Sequence, residues 1–164
     1  MKTITRSTIY LPMTAMILTA ALAIPAAAQT QVPFNGTFQG NDSVTPPTIT
    51  TTATGNGTLA GRFSLTDVVT LNSASGGTGT GHWVAANGDA IDTTFVASAI
   101  FGDVLTTVTE IHTITGGTGR FAGAHGNFTV LRKHVDAPSS DGTHFTWGSF
   151  EGTITPPGGA HSEQ

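Results

Sequence analysis

Glycine and threonine dominate everything after residue 28: all 21 glycines and 26 threonines fall there. Threonine, branched at Cβ, favours extended backbone, and glycine favours turns and bulges. Leucine is scarce over the same span, and no long segment repeats its apolar residues at helical spacing. A helical bundle is therefore excluded, and an all-β chain with many turns is expected. There is no cysteine. Disulfides, thiol catalysis and thiolate metal sites are excluded, so stability has to come from an apolar core.

The opening residues read as a removable export signal. Lys2 and Arg6 give a positive start, Leu11–Pro25 is mostly apolar, and Ala26-Ala27-Ala28 fits a small-residue cleavage site. Pro12 and Thr14 break an apolar run already too short to span a bilayer, and no later stretch is long enough. Cleavage after Ala28 leaves 136 of the 164 residues, one ordinary domain, secreted or periplasmic. Losing Lys2 and Arg6 takes the net charge from −4 to −6. The remaining fixed positive charges are Arg62, Arg120, Arg132 and Lys133. Nucleic acid and anionic membrane surfaces are poor partners for such a chain.

Along the mature part, Val32–Gly40 alternates as a first strand. Asn41–Gly57, with Pro46-Pro47, reads as a loop or a broken edge strand. In Leu59–Leu71, Phe63, Leu65, Val69 and Leu71 share one face, with Asp67 among them. Ser73–Gly81 reads as a glycine-rich turn. His82–Ala86 and Asp89–Ala99 flank Asn87-Gly88, a hairpin signal. Val104–Thr115, Asn127–Val135 and His144–Thr155 follow as strands, with a polar loop at Asp136–Gly142. Seven or eight strands separated by turn residues suit a barrel or a sandwich. Gly-Gly-Thr-Gly occurs twice, 40 residues apart, which is too few copies for a propeller.

Between the last strands, Ile114–Phe128 reads ITGGTGRFAGAHGNF. Its glycines permit a tight turn, Phe121 can act as an apolar plug, and Gly123 and Gly126 permit a bulge or a close backbone approach. No Lys-Ser/Thr follows them, as a phosphate-cradling loop requires. The segment resembles the glycine-rich signature of the dirigent and allene oxide cyclase superfamily, and Val84–Asp89 and Gly148–Thr155 look similar to small exported bacterial members. The resemblance implies a single eight-stranded antiparallel β-barrel with a central pocket, often a homotrimer. The family holds small apolar or phenolic molecules; some members close a ring in a fatty-acid epoxide, others guide phenoxy radicals. Many dirigent proteins carry Arg where this chain has His125, a departure that argues against the radical-guiding role.

Few residues suggest chemistry. Glu110 and His112 are two apart in a predicted strand and share a face with Val108 and Ile114. If that face points inward, a carboxylate beside an imidazole is an acid–base pair. The opposite face, with Leu105 and Ile111, is about as apolar, so both orientations stay open. Glu110, His112 and His125 are the pocket candidates. His82, His112, His125, His134 and His144 show no short ligand spacing, so no metal and no cofactor are expected. No Gly-x-Ser-x-Gly elbow is present. Trp83 and Trp147 read as packing residues.

The expected protein has a signal at 1–28, an all-β single barrel domain at 29–155 and a flexible tail at 156–164. Its expected function is to hold a small apolar ligand. The alternatives are a cofactor-free isomerase or cyclase, marked by an apolar cavity holding the candidate acid–base groups, and a ligand-free envelope protein, marked by a filled interior.

Overall fold

The computed structural model describes residues 30–155; the expected signal at 1–28 and tail at 156–164 lie outside them. Eight strands follow in order: β1 Val32–Thr45, β2 Thr48–Gly57, β3 Gly61–Ser73, β4 Gly76–Ala85, β5 Ala90–Ile100, β6 Leu105–Gly117, β7 His125–Val135 and β8 His144–Thr155. Each pairs antiparallel with its neighbour in sequence, and β1 pairs with β8 to close the barrel. Closure leaves no exposed sheet edge.

Alternation explains which face points in. In β3, Phe63, Leu65, Asp67 and Val69 are buried, while Ser64, Thr66, Val68 and Thr70 are exposed. In β6, Val108, Glu110, His112 and Ile114 are buried and Ile111 is exposed, which settles the face the sequence left open. Threonine covers much of the outside, where its branched side chain suits extended backbone and its hydroxyl meets water.

Two segments differ from expectation. Asn41–Gly57 is not a loop: β1 runs on to Thr45, turns at Pro46-Pro47 and returns as β2. Both prolines sit in the turn, where the missing N–H costs no ladder bond. Gly76–Gly81 is likewise strand, not turn. Its inward positions Gly77, Gly79 and Gly81 leave space that neighbours fill, among them Val69 and the Phe95 ring. Glycine here serves packing inside a narrow barrel rather than chain reversal.

The barrel has two unlike ends. One end carries the start of β1, the end of β8 and the β6–β7 connection, where a 3₁₀ turn at Gly119–Phe121 folds inward. Phe121 is buried there with Ala60, Ala124, Ile91 and Ile154, the plug that the motif suggested. Gly126 sits at φ +147°, and a side chain on it would strike the Thr153 carbonyl. The middle is filled by rings. Trp83 lies 5.1 Å from Phe63 and from Phe150, and 5.3 Å from Phe128. An eight-stranded barrel is just wide enough for such filling or for one small ligand. Here the aromatic filling stops halfway.

Candidate functional site

Above the rings, inward positions turn polar. Asp42 of β1, Asp67 of β3, Thr93 of β5, Glu110 and His112 of β6, Arg132 of β7 and Thr146 of β8 are all buried. Period-two spacing puts them inside, because each continues the alternation of an apolar partner two or four residues away. Polar groups so placed must satisfy one another.

They do so around Arg132. Its Nε donates to Glu110 Oε1 at 2.9 Å, and its Nη1 donates to Asp42 Oδ2 at 2.7 Å and to Thr146 Oγ1 at 3.2 Å. Thr51 donates to the other Asp42 oxygen at 2.6 Å. His134 Nδ1 lies 2.6 Å from Asp42 Oδ2, and its ring stacks on His144 with centroids 4.7 Å apart. On the inner side, His112 is stacked between Phe95 and Phe128 at 4.5 and 4.7 Å. Its Nε2 is 3.4 Å from Glu110 Oε2, and its Nδ1 is 3.0 Å from Thr93 Oγ1.

Charge follows from these contacts. Burial pushes the Asp42 carboxyl up, but the His134 bond and the Arg132 charge outweigh it and hold the group below its ordinary range. Glu110 is raised by burial and, more strongly, lowered by Arg132 and His112, so it too stays ionised. Burial works against the Arg132 charge, yet Glu110 and Asp42 together push its pKa upward. Asp67 has no such partner. Burial first, then the neighbouring Glu110 charge, pushes its carboxyl well above the usual range. Asp67 Oδ1 and the Trp83 indole N–H both lack a hydrogen-bond partner among the described residues. Both crowd against Gly81, where a side chain would strike Asp67 Oδ1.

Asp67, Glu110 and His112 bring one ligand-type atom each to within 4.8 Å of one another. Two carboxylates and an imidazole are divalent-cation donors. Both His112 nitrogens, however, already face hydrogen-bond partners, and Glu110 already neutralises Arg132. The trio works as the sealed end of a charge network.

Between this network and the rim lies an open cup of about 600 Å³. Val44, Ile49, Val69, Leu71 and Val108 form apolar wall, and Phe101 stands at its lip. Arg132, His134, Asp42 and His144 line it as well, together with Asp103 and Asp136. A larger outer groove of about 870 Å³ runs past Phe145 and Trp147, but Arg62 is its only charged group.

The sequence candidates therefore separate. Glu110 and His112 do face inward, together as spaced, but they are sealed beneath the cup and do not line it. His125 is exposed at the start of β7, paired with Thr155 at the plugged end, and joins neither. Asp42, Arg132 and His134 form the polar side of the cup and were not singled out. The signal that could have found them is the alternation Phe128, Val130, Arg132, His134 in β7, which sends two basic side chains inward.

No family model matches the chain, and neither a curated protein nor a solved structure matches it.

Proposed function

We propose that this protein is an exported carrier that holds one small, mainly apolar molecule in the open half of its barrel. The observation that carries the reading is the cup itself: about 600 Å³, walled in large part by aliphatic side chains, with charged and polar side chains set among them. That is the form of a small-molecule site, apolar surface for affinity and a few placed polar atoms for orientation. The lip supports entry of an apolar guest, since Ile100, Phe101 and Val104 stand exposed at the β5–β6 connection.

The charged, alanine-rich opening supports export. Threonine covers much of the outer wall, where a membrane-spanning barrel carries an apolar band. The motif at Ile114–Phe128, on a closed eight-stranded barrel, supports a relation to the dirigent and allene oxide cyclase superfamily. A trimer belongs to the same proposal. Val96 and Ile111, paired across β5 and β6 and each 59% exposed on the outer wall, offer an apolar face for it.

The test is titration of the mature protein with N-phenyl-1-naphthylamine, a neutral apolar dye. Saturable binding at one dye per chain is expected. Val108→Trp, which fills the cup, should abolish it, and Val96→Trp on the outer wall should not. Absence of saturable binding, or undiminished binding by Val108→Trp, overturns the reading. Native mass spectrometry of the same sample reports the oligomer.

A further inference from the structure

The polar side of the cup has more order than a binding site needs. Arg132 and His134 are two apart on β7 and point to the same side, and they meet at a single atom, Asp42 Oδ2. A carboxylate only accepts hydrogen bonds, so His134 donates from Nδ1, and in the neutral ring the lone pair is on Nε2. Nε2 of His134 takes no hydrogen-bond partner among the described residues, although the residue lines the cup. The His144 ring stacked on it fixes its plane, and His144 Nδ1 is itself spent on the Val135 carbonyl. On Arg132, Nε and Nη1 are committed to protein acceptors, while Nη2 makes no hydrogen bond among the described residues. His134 and Arg132, both lining the cup, thus leave one imidazole nitrogen and one guanidinium donor edge without a protein partner among the described residues.

We propose that this cup catalyses proton transfer on an apolar ketone, with His134 as general base and Arg132 as the group that holds the enolate oxygen. The inference rests on the carrier reading above, since the ketone has to occupy the cup. His134 Nε2 takes a proton from the carbon beside the carbonyl. The C–H electron pair becomes the C=C bond of the enolate, and the carbonyl π pair moves onto oxygen, against Arg132 Nη2. His134, now protonated, returns a proton to the same carbon, or to the far carbon of a conjugated substrate. The net change is exchange or double-bond migration, with no oxidant, metal or leaving group. Oriented bases and preorganised cations are the groups this chemistry needs. Asp42 touches no substrate; it is a positioning residue. Its ionised state, argued above from its contacts, fits that role.

The experiment follows solvent deuterium into 2-tetralone by NMR in deuterated buffer, after dye displacement has measured its binding to the mature protein. Wild type should exchange the protons beside the carbonyl about 10²-fold faster than His134→Gln, each compared at saturating ketone. Tetralin, which lacks the carbonyl, should compete and suppress the exchange, a readout that holds even if His134→Gln fails to fold. Asp42→Asn should lower kcat with little change in KM. Exchange no faster than in His134→Gln, or unaffected by tetralin, overturns the inference and leaves the carrier standing. So does a cup that binds the dye but not the ketone. A cup that binds neither overturns the carrier reading first.

Discussion

Arg132→Met is the most informative single change in this barrel. Methionine approximates the volume, so the loss is that of the charge and its donors. Arg132 pairs with two carboxylates, Asp42 and Glu110, at 2.7 and 2.9 Å. Without it Asp42 keeps Thr51 and His134, but Glu110 keeps only His112 at 3.4 Å. Breaking a buried pair by removing one partner costs about 3–5 kcal/mol. For a domain of this size that is a fall in Tm of roughly 10–20 °C. Urea unfolding, followed by the fluorescence of the core residue Trp83, measures it at pH 7. The deficit should shrink towards pH 4, because protonation removes the orphaned charges. The triple variant Arg132→Met, Asp42→Asn, Glu110→Gln should regain at least half of the loss, since all three charges leave together. A single variant within about 1 kcal/mol of wild type, or a triple variant no better than the single, would refute the account of an interior held by paired charges.

Two further outcomes follow from the geometry. Asp67→Asn should stabilise the protein above about pH 4, because the folded pKa is raised while the unfolded carboxyl ionises near 3.8. The wild-type penalty therefore grows as pH rises through that window, whereas Asp42 and Glu110, with lowered values, lose their contribution as pH falls below it. A pH series of unfolding midpoints checks both limbs, and an Asn variant less stable than wild type at pH 8 contradicts the first. Phe121→Ala should cost about 3–5 kcal/mol by opening the plugged end, yet leave dye binding in the cup unchanged. Weaker dye binding in a folded Phe121→Ala protein would show that the two ends are coupled.

Much of this was legible in residue order, for definite reasons. Period-two alternation placed Glu110 with His112 and put Asp67 among the apolar residues of β3, because strand faces follow from spacing alone. The plug was legible because Phe121 is an aromatic residue within a glycine turn. What stayed hidden depends on who fills the space beside each residue. Gly77, Gly79 and Gly81 look like a turn until Val69, Phe95 and Trp83 are seen occupying their missing side chains. Asp42 was hidden in a stretch read as loop, since two prolines usually end a strand and here merely turn it. Its meeting with Arg132, 90 residues away, is a fact of barrel closure that local pattern cannot supply.

Seven of the eight strand pairings join neighbours in sequence, and only the β1–β8 seam is distant, Val32 beside Ile154. The last strand also brings Phe150, whose ring lies against Phe34, Phe63, Trp83 and Phe128. A growing chain can therefore build hairpin upon hairpin and still lack a dry interior until β8 arrives. Sealing of the sheet and consolidation of the core therefore become one event, set by the docking of β8.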